Sequence, residues 1–266
     1  MTEETQAPPG VDPAVPTAAR MYDYFLGGHD NFAADRAAAD FLTNVAPAAP
    51  LTAQANRAFL GRAVRFLAGE AGIRQFLDLG AGLPTQDNVH QVARGIAPDA
   101  RVVYVDSDPM VVAHARALDL GDATAVIQAD LRDAGRILEH PETRRLIDFS
   151  QPVAVLCLAA LHFIGGAAAG AAVARFRLGL SPGSYLTLSH AHGDPQSREY
   201  SAGTQAYSST ANPITMRSRA EILGFFDGLD LLEPGLVRAQ EWRPGPADPP
   251  DGGQDWILAA VGQVPG

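Results

Sequence analysis

Apolar residues fall into short continuous runs separated by stretches of helical spacing, and that alternation recurs through most of the chain. Phe76 to Leu79, Val102-Val-Tyr-Val105, Ala125-Val-Ile-Gln128, Pro152 to Ala160 and Tyr185 to Leu188 read as buried strands. Between the first two, Val89, Val92, Ala93 and Ile96 recur at helical spacing until Pro98, with Thr85 as a candidate N-cap. After Asp106, Asp108 is an N-cap candidate and Pro109 takes the first helical position of a helix running to about Leu118. An Ala/Gly-rich helix carrying Val173 and Phe176 precedes the turn at Ser181-Pro-Gly183. The capping box Ser218-x-x-Glu221 then opens a helix with Ile222, Phe225 and Phe226. Leu229 to Val237 and Asp255 to Val261 supply two last strands, joined by a proline-rich link from Pro244 to Gly253. Strands alternating with helices predict an α/β protein with a mostly parallel sheet.

The N-terminal quarter follows another pattern. Residues 1–16 hold four prolines and Gly10 with little apolar content, and are expected to be a disordered or extended arm. In Met21-Tyr-Asp-Tyr-Phe-Leu-Gly-Gly-His-Asp-Asn-Phe32, aromatics surround a glycine pair and a cluster of polar groups. That composition predicts a short helix, a break at Gly27-Gly28, and a second helix through Arg36, Ala39 and Phe41. A third helix is expected over about residues 52–69, with Ala55, Phe59, Ala63, Phe66 and Leu67 on one face. The first two helices could be a packed hairpin or a lid over a ligand cleft. Residues 193–217, rich in Ser and Thr with Tyr200 and Tyr207, read as a long polar loop covering the substrate side.

The chemistry concentrates where the first strand ends. Asp78-Leu-Gly-Ala-Gly82 places Gly80 and Gly82 in a tight turn, where the missing Cβ atoms let a ligand approach the backbone. The second strand ends in Asp106, where a Rossmann-type site puts a carboxylate on ribose hydroxyls. Strand, glycine turn, helix, strand and acid together point to an adenosine-containing ligand. A dinucleotide fingerprint would need a third glycine where Thr85 stands, and the Asp78 carboxylate suits a methionine ammonium better than a pyrophosphate. The pattern therefore favours S-adenosylmethionine over NAD, although an NAD-linked oxidoreductase shares the turn and the acid.

Composition narrows the partners. The chain has 266 residues and a net charge of −10, and all 20 basic residues are arginine. An acidic chain with dispersed arginines lacks the footprint of a nucleic-acid binder, and without lysine there is no Schiff-base chemistry. Cys157 is the single cysteine, so neither an intrachain disulfide nor a cysteine-rich metal site is expected. No apolar run approaches a membrane span and the N-terminus is the reverse of a signal peptide, which makes the cytoplasm the expected compartment.

Four blocks carry a resemblance: Met21 to Arg36, Asn56-Arg-Ala-Phe-Leu60, Gln75 to Thr85, and Pro182-Gly-Ser-Tyr-Leu-Thr-Leu-Ser-His190. Together they resemble a family of S-adenosylmethionine-dependent methyltransferases long catalogued as a domain of unknown function. The resemblance implies a class I, Rossmann-like methyltransferase fold, with a seven-stranded mostly parallel sheet in the order 3-2-1-4-5-7-6. With the sequence pattern, it leads to an expected division of the chain into the arm (1–16), an N-terminal helical cap (17–70) and an S-adenosylmethionine-binding domain (71–266). The activity it implies is methyl transfer from S-adenosylmethionine, and it supplies no substrate; with the acidic charge and the absence of an apolar span, an oxygen or nitrogen of a small molecule is the expected acceptor, without nucleic acid or membrane. A protein that keeps the cofactor but has lost turnover is the alternative.

Asp78, Gly80, Ala81 and Gly82 are then expected around the methionine part, and Asp106 with Ser107 at the ribose. Asp130 and Leu131, after the third strand, resemble the adenine-binding position, although Asp130 reads equally well as a helix N-cap. Tyr22 and Asn31 are expected near the methyl site. His162, at the end of the fourth strand, could be a base or could merely position the substrate. His190 and His192 alternate after the fifth strand without a third metal ligand nearby, and read as cleft-edge or solvent residues. After Ile164 the family pattern calls for an acid, where this chain has Gly165-Gly-Ala-Ala-Ala-Gly170.

Overall fold

The computed structural model describes residues 7–266 apart from 9, 85, 86, 119, 194, 195, 197, 209, 247 and 249–255. Three helices come first: α1 (Ala18–Phe25), α2 (Ala33–Val45) and α3 (Ala49–Gly69). The break after α1 needs both glycines. Gly27 has φ +79°, and a Cβ on Gly28 would lie 2.0 Å from Asp23 Oδ1. The Asp23 carboxylate closes this turn, accepting from Asp30 N and Asn31 Nδ2 at 2.9 Å each. Asp35 opens α2 by accepting the Phe32 N–H through Oδ2 at 2.8 Å, and the same carboxylate makes a buried ion pair with Arg20 at 2.7 Å. Arg20 also donates to the carbonyls of Asp12 and Val15. These two contacts hold Asp12 and Val15 against α1.

The chain then alternates through β1 (Gln75–Leu79), α4 (Val89–Arg94), β2 (Arg101–Asp106), α5 (Pro109–Ala117), β3 (Thr124–Gln128), α6 (Ala134–Leu138), α7 (Pro141–Leu146), β4 (Ala154–Leu158), α8 (Ala168–Arg177) and β5 (Tyr185–Ala191). It ends with α9 (Arg198–Ser208), α10 (Arg219–Gly224), β6 (Asp230–Leu231), β7 (Val237–Arg238) and β8 (Ile257–Gln263). The sheet runs β3-β2-β1-β4-β5-β8-β6, with β1 to β5 parallel and β8 antiparallel to β5.

That is the expected order with one change. The anticipated sixth strand over 229–237 is split into β6 and β7, which both pair with β8, so among the described residues the sheet has eight strands where seven were expected. Pro234 has no N–H to give a ladder and Gly235 turns at φ +84°, so pairing cannot continue through them.

Three further expectations change. Helix α4 begins only at Val89, after Asn88, whose N–H donates to Gln91 Oε1 at 2.9 Å; Thr85 lies outside the described residues. Helices α6 and α7 fill the connection between β3 and β4, where the sequence pattern offered none. Most strongly, the polar loop expected over 193–217 contains α9. Tyr200, Gly203 and Tyr207 recur at helical spacing there, and Tyr207 packs against the apolar cluster of the cap.

Both faces of the sheet are covered. On one, Leu77, Val103 and Val155 meet Val173 and Phe176 of α8 and Phe225 beyond α10. On the other, Phe76, Val102 and Leu156 meet Phe59, Ala63 and Leu67 of α3. The start of α3 belongs elsewhere: Ala49 and Ala53 join Met21, Phe25, Ala39 and Leu42 in a separate cluster. One helix thus carries both the sheet layer and the floor of the cap, which fixes the cap over the carboxyl ends of the strands.

Candidate active site

The turn after β1 is held by its neighbour strand, since Gly80 N and Ala81 N both donate to Val105 O, at 2.8 and 3.2 Å. Gly80 and Gly82 have φ of +73° and +66°, a region that disfavours side chains. A Cβ on Gly80 would lie 2.5 Å from Ala160 Cβ, whereas one on Gly82 would point into open space. Asp106 completes the turn. Its Oδ2 accepts from Gly82 N and its Oδ1 from Asp108 N, both at 2.9 Å, and each oxygen keeps a further lone pair for a ligand hydroxyl.

Off the carboxyl ends of β1, β2 and β4 lies a cavity of about 520 Å³, roofed by the cap helices and α9. Asp78, Gly80, Ala81, Gly82, Asp106 and Ser107 line it, and so do Asp130, Leu131, Tyr22 and His162. Asn31 is not brought there. Its amide nitrogen donates to Asp23 Oδ2 and Gly28 O, and its own oxygens accept from Arg36, so its polar atoms serve the turn between α1 and α2.

Charge is confined to one half of the cavity. Asp78 is buried at the end of β1, and that burial, reinforced by Asp106 and opposed by Arg57, pushes its carboxyl up to about 7. Arg57 of α3 also lines the cavity and donates to Asn88 Oδ1 at 3.2 Å. In the sequence Arg57 appears only within the block Asn56 to Leu60. The available signal was its neighbour Asn56, an amide on the buried stripe of α3, three residues before Phe59 and seven before Ala63.

Asn56 explains Tyr22. The Tyr22 hydroxyl donates to Ala53 O at 3.0 Å and accepts from Asn56 Nδ2 at 2.9 Å. Asn56 Oδ1 in turn accepts from Ser189 Oγ, which accepts from Ala159 N at 2.9 Å. Burial raises the Tyr22 phenol above its ordinary value. This chain ties α1, α3, β5 and the strained Ala159, at φ +50°, into one unit.

Asp130 performs the capping alternative. Its Oδ1 accepts from Arg132 N at 2.8 Å, and the Arg132 guanidinium holds both carboxylate oxygens and keeps the group below its usual range.

At the far end, His162 sits buried in the turn Leu161–Phe163, and its Nδ1 accepts from Ala191 N at 3.2 Å. His190, expected at the cleft edge, is wholly buried instead. Its Nδ1 faces Ala191 O at 2.7 Å and its Nε2 faces Arg217 Nη1 at 2.7 Å. His192 is half-buried, with Nδ1 3.0 Å from Arg217 O. Arg217 also donates to the carbonyls of Leu161, Ile164 and Gly166. A guanidinium thus holds the loop where an acid was expected.

The residues present fit an adenosyl-methionine ligand: two glycines in left-handed conformation, one beside open space, a carboxylate at the end of β2 with lone pairs to spare, and a buried acid next to an arginine. Fold and site together define a class I, Rossmann-like methyltransferase that uses S-adenosylmethionine. The chain belongs to the S-adenosyl methyltransferase family, whose sequence profile matches residues 4–265. It is similar to a protein of known structure from Thermobifida fusca, at 43% identity over 99% of this chain and 100% of that one, with a TM-score of 0.91. A DUF574 family protein from Streptomyces avermitilis is 39% identical over 96% of this chain and 99% of its own, also at 0.91. An O-methyltransferase family protein from Burkholderia thailandensis shares the fold alone, at 18% identity over 94% of this chain and 64% of that one, with a TM-score of 0.52. No curated protein matches the chain.

Proposed function

We propose that the protein transfers the methyl group of S-adenosylmethionine to an oxygen or nitrogen of a small molecule held beneath the helical cap, in the cytoplasm. The observation that carries this is the division of one cavity into a charged half around the glycine turn and an apolar half beneath α1, α3 and α9. Among the described residues no helix is long and apolar enough to cross a membrane.

In this reading Asp78 and Arg57 face the ammonium and carboxylate of the methionine part, with the backbone of Gly80, Ala81 and Gly82 beside it. Asp106 accepts from the ribose and Ser107 flanks it. Leu131 gives the adenine an apolar wall, while Asp130, engaged with Arg132, shapes that wall. Tyr22 and Asn56 hold the cap down, Asn31 fixes its hinge turn, and His162 faces the acceptor. When bound, S-adenosylmethionine would supply an electrophilic methyl on a sulfonium that leaves with its bonding pair as a neutral thioether, and an acceptor bearing a proton would lose it afterwards. Positioning in a water-poor cavity then supplies much of the acceleration.

Hydrogen exchange with and without saturating S-adenosylhomocysteine tests the arrangement. Protection should rise across residues 76–82 and 18–36. A ligand that leaves 76–82 unprotected would overturn the site, and protection confined to 76–82 would overturn the cap's role as a lid.

A further inference from the structure

The acceptor half of the cavity carries information on what it takes, and the following rests on the methyl-transfer reading. We propose that His162 is a fixed hydrogen-bond donor that positions an uncharged, flat acceptor bearing a carbonyl oxygen or ring nitrogen, and that no side chain of this half removes the acceptor's proton.

The argument starts from an amide. Ala191 N–H can only donate, and it donates to His162 Nδ1 at 3.2 Å. A neutral His162 therefore carries its proton on Nε2. To act as a base through Nε2 the ring would have to move that proton to Nδ1, setting two N–H groups against each other. Nε2 has no protein partner among the described residues, and the ring lines the cavity, so the donor is left for a ligand.

The ring is locked from behind. Arg217 stays charged, and its Nη1–H donates to His190 Nε2, so His190 must carry its own proton on Nδ1, where it donates to Ala191 O at 2.7 Å. The Ala191 peptide thus reads both histidines, its N–H to one and its C=O to the other. The rings of His162 and His190 lie 5.5 Å apart, and protonating either would put a second cation beside Arg217. Glu221, which would favour a charge on His190, is drawn off by Ser218 N and Oγ, while His192 adds a further disfavouring group. Burial, His190 and Arg217 together hold His162 well below the ordinary histidine value.

Around this donor the walls are apolar and aromatic. Phe25, Phe163, Tyr207, Met216 and Trp256 contribute, with Phe163 and Tyr207 ring centroids 5.8 Å apart. The cavity's carboxylates, Asp78, Asp106, Asp108 and Asp130, all belong to the strand ends of the cofactor half. The Tyr22 hydroxyl already donates to Ala53 O. An ionic acceptor would lose its hydration here without a counter-charge, whereas a flat neutral one fits. Its nucleophilic atom must carry a usable lone pair on arrival, and any proton it loses goes to water.

Nitrogen-15 NMR of histidine-labelled protein tests this, read both ligand-free and saturated with S-adenosylhomocysteine. His162 should show unprotonated Nδ1 and protonated Nε2 without titration from pH 5.5 to 8. The opposite tautomer, or titration within that range, overturns the proposal. Quinoline, flat with one ring nitrogen, should then shift the Nε2–H resonance and bind at least tenfold tighter than naphthalene or 2-naphthoate. His162→Phe should abolish that preference and His162→Asn should retain most of it, with unchanged S-adenosylhomocysteine affinity showing that both variants fold. Equal binding of quinoline and naphthalene, no binding of either, or an unaffected preference in His162→Phe sinks the acceptor class. Failure of S-adenosylhomocysteine to bind would instead remove the methyl-transfer reading, while the ligand-free spectra still decide the tautomer.

Discussion

Gly80 and Ala160 meet across the floor of the site so closely that a Cβ on the glycine would stand 2.5 Å from the alanine Cβ. The turn after β1 and the loop after β4 are thereby packed against each other, and the backbone of one is fitted to the other. Gly80→Ala should cost about 1–3 kcal/mol for the left-handed backbone and a similar amount for overpacking. Adding Ala160→Gly should restore only the packing part. Urea unfolding of the single and double variants checks this; an unaltered midpoint for Gly80→Ala would remove the fit.

In the proposed site Asp78 should make cofactor binding sensitive to pH. With its carboxyl pushed up to about 7, the group loses its charge as pH falls through neutrality and can no longer attract an ammonium. Affinity for S-adenosylhomocysteine should fall from pH 8 to pH 6, by at most about tenfold per unit, and Asp78→Asn should flatten the dependence. For the ligand-free fold the sign is opposite. A carboxyl raised above its unfolded value holds its proton more tightly when folded, so this group's contribution to stability declines as pH rises towards 7. Calorimetry of binding and thermal unfolding across this range reads both signs.

Asp106 holds the glycine turn and, in the proposed site, also takes the ribose. Asp106→Ala would strand Gly82 N–H and Asp108 N–H and remove the ribose acceptors, so cofactor affinity should drop by about 1.5–3 kcal/mol, roughly tenfold or more. Calorimetry with S-adenosylhomocysteine on the folded variant measures it, and unchanged affinity would end the ribose assignment.

Tyr22 is expected to act through structure. Tyr22→Phe leaves Ala53 O and Asn56 Nδ2 each short of a partner, a loss of about 1–3 kcal/mol in stability. Its pH–activity profile should match that of the parent. A change of profile without a change of stability would return Tyr22 to proton chemistry.

Gly28→Ala should open the cap, because a methyl group cannot share the space of the Asp23 carboxylate 2.0 Å away. Hydrogen exchange should quicken across 18–36 and leave β1 to β5 unchanged. Uniform protection in the variant would mean that the turn adjusts without Asp23.

The alternation of strands and helices, the glycine turn, the acid ending β2 and the helices opened by Asp108 and Ser218 were legible in the sequence, because each rests on local chemistry: an apolar run, a residue without Cβ, a cap within a few residues of what it caps; the strand order came only with the family resemblance. Helix α9 was hidden by its polar composition, since its large side chains with apolar surface are Tyr200 and Tyr207, and Tyr207 packs against a cap cluster more than 150 residues away in sequence. The roles of side chains were decided by tertiary structure alone. Tyr22 and His162 both reach the cavity, yet what each can do depends on its partners. For Tyr22 these are Ala53 and Asn56 on α3; for His162 they are Ala191, with His190 and Arg217 behind it. A sequence states which groups can donate or accept a proton; only the folded chain settles which of their lone pairs and hydrogens are already in use.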